Sequence, residues 1–245
     1  ERCRRQATIL RFAILCDSPL QRADAFLVYE ALDGHAGEHV RQLADSHSAW
    51  ARRLGFGVVE VHEEGAGKGG GGKGGARQIV LQINGAAVYG MLEGEDGLHE
   101  ILPDAKSPGR LVRVTVMPLP GAVPDEEMME VVVSAGKRPE VQAMHRQTGQ
   151  TITIRPTAGT SDIGMLAREL LAAEMARQDR LHAGAAPQEV VRRWWLGSKP
   201  SVRDPRTGVA VARIKDVLQG DIDRFLLAYL EQRGGAGDNA PSTSG

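Results

Sequence analysis

The chain has only two cysteines, Cys3 and Cys16. That excludes a framework of several disulfides and any four-cysteine zinc site built within it, and it fits a reducing compartment. Long apolar runs are missing too. The longest near the N-terminus, Ile9 to Cys16, contains Arg11 and falls far short of the roughly 20 residues that a membrane-spanning helix needs. Nor is there an excess of charge: 30 basic and 31 acidic side chains leave a formal net charge of −1. A protein lying on nucleic acid is expected to be basic, so any RNA contact must come from a local patch rather than from the total. The first residue is Glu1, not Met, and the opening carries Arg2, Arg4, Arg5 and Arg11. It reads either as the tail of an organelle presequence or as the solvated face of a helix.

What is present is a mixed pattern. A length of 245 residues suits one large or two modest domains. Ala23 to Tyr29 alternates loosely and reads as a strand, Asp33 and Gly34 break it, and Glu38 to Leu54 is amphipathic at helical spacing. Val58 to His62, Gln78 to Asn84, Val112 to Pro120, Met129 to Ser134 and Thr151 to Arg155 read as further strands. Met165, Leu166, Leu170, Leu171 and Met175 mark Gly164 to Gln178 as a helix. The glycine-rich tract Gly65 to Ala76 reads as a flexible loop. Gly67 to Lys73 has the spacing of a phosphate-binding loop, but Gly74 stands where a Ser or Thr should hold magnesium, so no nucleotide site is expected there. His35 and His39 are four residues apart, yet Glu38 is wrongly placed for a zinc hydrolase, and they read as two exposed histidines.

From Glu189 to Gln232 the order of residues is more specific. Asp204, Arg206, Thr207 and Gly208 supply an Asp-x-Arg-Thr-Gly turn in which Gly208 suits a positive φ. Val217, Leu218, Gly220, Ile222, Asp223 and Phe225 follow, with Asp221 as a helix cap and Ile222, Phe225, Leu226 and Tyr229 on one helical face. This segment closely resembles the C-terminal part of bacterial-type class I peptide chain release factors, in the branch that reads UGA and UAA. Trp50, Ala51, Gly55 and Phe56 match a second pattern of that family. Gly85, Ala87, Tyr89, Gly90, Leu92, Glu95, Gly97 and His99 match its strand and turn before the codon-reading region. The resemblance implies an α+β fold of two lobes, with mixed sheets and packed helices. It implies an N-terminal helical remnant over 1–19, a codon-recognition-like superdomain over 20–125 plus 188–232, a catalytic-domain-like lobe over 126–187 and a disordered tail over 233–245.

Three places depart from the family. Its members hydrolyse peptidyl-tRNA through a Gly-Gly-Gln tripeptide, in which the glycines permit a backbone shape closed to other residues and the Gln N–H stabilises developing charge. No Gly-Gly-Gln occurs in this sequence. Val132 to Gly136 matches the strand entering the catalytic loop and Pro139 to Gly149 the strand and turn leaving it, with Lys137 and Arg138 alone between them, so about ten family residues are missing. Gln142, Gln147 and Gln150 lack paired glycines. In the codon-reading region, where the family carries Ser-Pro-Phe, Ser107 and Pro108 remain but Gly109 replaces the aromatic. Glu100, not Arg, follows His99. Thr157 to Asp162 lacks the family's Arg- and His-containing turn.

The resemblance therefore implies a release-factor-like protein of translation that binds the ribosome or RNA, either ribosomal RNA or mRNA, and cannot hydrolyse peptidyl-tRNA. On that reading it is not an enzyme: it has no catalytic residue, metal or cofactor, and neither a membrane nor a DNA partner. Two alternatives stay open: a divergent but working termination factor, and a structural ribosome-associated or mRNA-stabilising organellar protein. Truncated relatives in photosynthetic eukaryotes imply an organelle, the chloroplast ahead of the mitochondrion, with the cytoplasm as the alternative. The candidate RNA contacts are Arg192, Arg193, Lys199, Arg203, Arg206 and Lys215, which make the C-terminal third locally basic. Trp194 and Trp195 adjoin them. Adjacent tryptophans on a helix cannot share one face, so one belongs to the core, and Trp194 is taken as the stacking candidate. Ser107 and Pro108 are the remnant of codon reading.

Overall fold

The computed structural model describes residues 2–16, 18–65, 75–104, 107–123, 125–134, 139–157, 162–182 and 189–237. Helix α1 (Arg2–Leu15) leads into β1 (Ala25–Ala31), α2 (Gly37–Leu54), β2 (Gly57–Gly65), β3 (Ala76–Asn84), the short α3 (Val88–Leu92), β4 (Gly97–Leu102) and β5 (Arg110–Pro118). Next come β6 (Met129–Val133), β7 (Val141–His145), β8 (Thr151–Ile154) and α4 (Ile163–His182). The chain closes with β9 (Val190–Trp195), β10 (Ser201–Arg203), β11 (Ala210–Val211), α5 (Ile214–Leu218) and α6 (Asp223–Gly237).

Alternation decides how these pack. In β1, Ala25, Leu27 and Tyr29 face one side of an eight-stranded sheet ordered β11-β10-β9-β4-β5-β1-β3-β2, and Phe26 and Val28 face the other. The first, inner side is covered by α1, α2, α3 and α6, with Val40, Leu43 and Trp50 of α2 and Phe225 and Leu230 of α6 buried against it. The outer side over β5, β1, β3 and β2 is covered by α4 and by the antiparallel sheet β6-β7-β8, through Phe26, Val80 and Met117 against Val141, Ile154 and Leu170. All pairings in the large sheet are antiparallel except β4 with β9.

Between the layers, the Arg155 backbone N–H donates to His62 Nδ1 at 2.7 Å and Thr157 Oγ1 donates to the Glu60 carbonyl. Arg155 also bridges Glu140 at 2.6 Å and Glu64 at 3.4 Å. Accepting at Nδ1 requires a neutral His62, and its burial lowers the imidazole pKa accordingly. Gly220 shows how closely α5 and α6 are drawn to α2. Its φ is +92°, and a Cβ there would stand 2.4 Å from the Trp50 amide nitrogen, so no side chain fits.

Several expectations change. Val190–Trp195 is a strand, not a helix. Helix α6 opens with the Ile222 carbonyl accepting from the Phe225 amide at 3.0 Å, so Ile222 and not Asp221 stands at the cap. The same helix continues to Gly237, which makes 233–237 helical. Residues 238–245 lie outside the described residues. Gly65 pairs with Ala76 in the β2–β3 ladder, so the expected loop is shorter by its two ends, and its residues 66–74 also lie outside. His39 is buried, with Nδ1 2.9 Å from Gln42 Oε1 and Nε2 3.3 Å from Arg110 Nη1. Among the described residues no helix is long and apolar enough to cross a membrane.

Candidate nucleic-acid interface

The basic residues of the C-terminal segment divide between the two faces of the sheet. On the inner face of β9, Arg192 is 2% exposed; its Nη1 donates to Asp204 Oδ2 at 3.0 Å and its Nη2 donates to Glu95 Oε1. Its guanidinium carbon also lies 4.1 Å from the centre of the Phe225 ring. Arg206 donates to Asp204 Oδ2 at 2.9 Å and to the Gly94 carbonyl at 2.6 Å while lying over Tyr229. The turn that presents Asp204 is closed by its own Oδ1, which accepts the Arg206 amide at 2.8 Å, and by Gly208, whose φ of +76° glycine adopts at no steric cost.

Histidines complete the cluster. His47 Nε2 is 3.4 Å and His99 Nε2 3.8 Å from Glu95 Oε2, and His47 Nδ1 is 2.9 Å from the Leu43 carbonyl. Burial opposes ionisation of Glu95, but Arg192 beside it, helped by His47 and His99, holds the carboxyl well below its usual range. Burial lowers His99 from its ordinary 6.5 to about 3, against the pull of Glu95, so that ring is neutral at pH 7. These groups tie β9, the 204–208 turn, α2 and α6 together, and only Arg206 and Tyr229 among them reach solvent, in part. Arg192 and Arg206 are thus corrected: as RNA contacts they would have to leave buried ion pairs, at a cost of several kcal/mol. Trp194 is corrected as well. It is 4% exposed, stacked near His99 and paired across the ladder with Val202.

The outer face of the same strands is different. Arg193, Trp195, Ser201 and Arg203 alternate with the buried residues, and the register sets Trp195 opposite Ser201 and Arg193 opposite Arg203. Arg203 is exposed, Trp195 is half-buried, and Arg193 is 45% exposed with one bond of 2.7 Å to Glu100. At the end of these strands two loops meet. The Leu196 amide donates to the Leu102 carbonyl at 2.9 Å, and Gly197 lies against Pro103 and Asp104. One loop carries exposed Lys199; the other carries Ser107, whose amide and hydroxyl both donate to Asp104 at 2.8 Å. The Ser107 hydroxyl proton is therefore already committed within its own loop. Lys215 is exposed on α5, which packs on α2 at the inner side, apart from this group.

In the small sheet, Ser134 and Glu140 close the β6–β7 hairpin. The Ser134 amide donates to the Glu140 carbonyl at 2.8 Å, and the Glu140 amide donates to Ser134 Oγ at 2.9 Å. Residues 135–138, Lys137 and Arg138 among them, lie outside the described residues, as do residues 158–161. Among the described residues no group of His, Cys, Asp or Glu is arranged to hold a metal ion. Sequence reasoning missed Trp195, for which strand alternation was the available signal, and it missed the partnership of Glu95 with Arg192 and Asp204, for which there was none.

No model of a known protein family matches this chain. Among curated proteins it is similar to peptide chain release factor 2 of Chloroflexus aggregans, at 26% identity over 253 residues that cover 89% of this chain and 67% of that one. It is similar to the same factor of Thermomicrobium roseum at 25% identity, covering 96% of this chain and 71% of the relative. The factor of a Ruegeria species is 29% identical over 89% of this chain and 66% of its own length. Among solved structures, RF2 of Thermus thermophilus aligns with a TM-score of 0.75 at 24% identity, covering 92% of this chain and 72% of that one. The mixed α/β fold described above is the one found in that release factor.

Proposed function

We propose that this chain is a release-factor-like protein of translation that binds the ribosome or another RNA and does not hydrolyse peptidyl-tRNA. The carrying observation is the β6–β7 hairpin, closed by Ser134 and Glu140, in a chain without any Gly-Gly-Gln. Hydrolysis in the family it resembles depends on a glycine-permitted backbone that aims an amide at developing charge. A short tip leaves no chain to extend such a backbone away from the lobe. Similarity to release factors along most of the chain supports a retained ribosome- or RNA-binding framework.

On this reading the RNA surface is the outer face of β9 and β10 with its adjoining loops. Trp195 supplies a stacking plane, Arg193, Arg203 and Lys199 supply phosphate contacts, and the open sheet suits unpaired bases better than a duplex. The test is a release assay on ribosomes paused at each stop codon, run beside ribosome co-sedimentation. Co-sedimentation without peptide release above a no-factor control is the expected result. Release at saturating protein would overturn the proposal.

A further inference from the structure

A cleft of about 350 Å³ lies between the outer face of the large sheet and the α4–β8 layer, away from the RNA surface described above. Thr151, Ile152, Thr153 and Ile154 all line it. Consecutive strand residues point to opposite faces, so a wall made of four in a row is the edge of β8 and not one of its faces. Among the described residues β8 pairs only with β7. The ladder alternates: His145 donates to the Gln150 carbonyl at 2.9 Å, which makes Ile152 and Ile154 the next bonded positions and turns the N–H and C=O of Thr151 and Thr153 to the free edge. Arg155, next in that alternation, does direct its N–H outward, to His62.

The floor is apolar, formed by Val28, Val80 and Met117, with Leu170 at the side. Two ion pairs stand on the rim. Arg113 lies 3.4 Å from Glu30, and Arg177 meets Glu174 through two bonds of 2.9 Å. The rim is charge-balanced, so it favours an uncharged ligand. Size decides between an added peptide strand and a small molecule. The volume equals about a dozen water molecules, near the lower end of small-molecule sites and too small for a strand running the length of β8 with its side chains. The required ligand has an apolar flat face for the floor and an edge that offers an acceptor beside a donor to the N–H and C=O of Thr153. Adenine presents that pair.

We propose that this cleft binds an uncharged purine nucleoside, held by the free edge of β8. The probe is adenosine, titrated calorimetrically into the full chain, with amide NMR shifts as the site readout. Saturable binding with a Kd below about 1 mM, shifting Thr151 to Ile154, is expected. Thr153→Pro removes the outward N–H without breaking the β7 ladder, and is expected to weaken binding about tenfold or more. Gln78→Trp fills the cleft from the opposite wall and should abolish binding, which keeps the test decisive if the proline variant fails to fold. No saturation at 5 mM adenosine, binding unchanged in Gln78→Trp, or displacement of adenosine by a neutral Thr-Val-Thr-Val peptide would each overturn the proposal, whatever the outcome for ribosome binding.

Discussion

Arg192 and Arg193 are neighbours in the chain and opposites in the fold. Arg192 lies on the inner face of β9, nearly sealed from water, divided between Glu95 and Asp204 and capped by Phe225. Arg193 lies on the outer face, half in water, with a single bond to Glu100. The same division separates Trp194 from Trp195, and Arg206 from Arg203. A basic, aromatic stretch that reads as one interface is therefore two things back to back: a structural joint and a candidate RNA surface. A charge in a joint contributes through partners that cannot be replaced by water, whereas one on a face remains free to trade water for phosphate.

Substitutions on the two sides break this comparison if it is wrong. The largest effect is expected from Arg192→Ala, which leaves Glu95 and Asp204 buried without their cation and should cost about 3–5 kcal/mol of unfolding free energy in a urea titration. Arg193→Ala should cost at most about 1 kcal/mol, and equal losses would remove the distinction. The tryptophans sharpen it further. Trp194→Ala opens a core cavity, at about 3–5 kcal/mol of stability. Trp195→Ala should leave stability nearly unchanged and weaken single-stranded RNA binding by about 1–3 kcal/mol.

Acid should dissolve the joint before the face. His99 and His62 have folded pKa values below the ordinary 6.5, so their contribution is complete above that pH and is lost as pH falls toward about 3 for His99. Glu95 is likewise depressed, so its contribution is lost in the same direction, below the usual carboxylate range. Stability measured by urea titration should therefore decline steadily from pH 6.5 to 4, and Arg192→Ala should flatten that slope. A rise in stability over this interval would contradict the buried neutral histidines. The smallest effects belong to single phosphate contacts. Arg203→Ala and Lys199→Ala should each lower the slope of log affinity against log salt by about 0.7 for single-stranded RNA, with stability unaffected.

Much of the framework was legible in the residues. Strand alternation in Met129 to Ser134, the helical spacing of Leu166, Leu170 and Leu171, and the positive φ at Gly208 all read correctly because each depends on near neighbours in the chain. The candidate site was harder. Arg206 matched a turn motif, and the motif was present, but its guanidinium is spent on Asp204 and Gly94. Adjacent tryptophans must diverge on a helix or a strand alike, so residue spacing leaves open which of the two meets the core, and the packing of β9 puts Trp194 there. The capture of Ser107 by Asp104 was not legible in the sequence.

By itself the sequence determined most of the strands and helices before residue 189, the lack of a Gly-Gly-Gln and the basic tenor of the C-terminal segment, since these follow from residue identity and local spacing. Tertiary structure alone decided which charges are buried. Glu95 and Arg192 are 97 positions apart, and the parallel register of β4 with β9 brings them within bonding distance, while α2 packed on the inner face brings His47 to Glu95. Burial is a property of the assembled layers, and in this chain burial separates a cation that holds the fold from one left in contact with water.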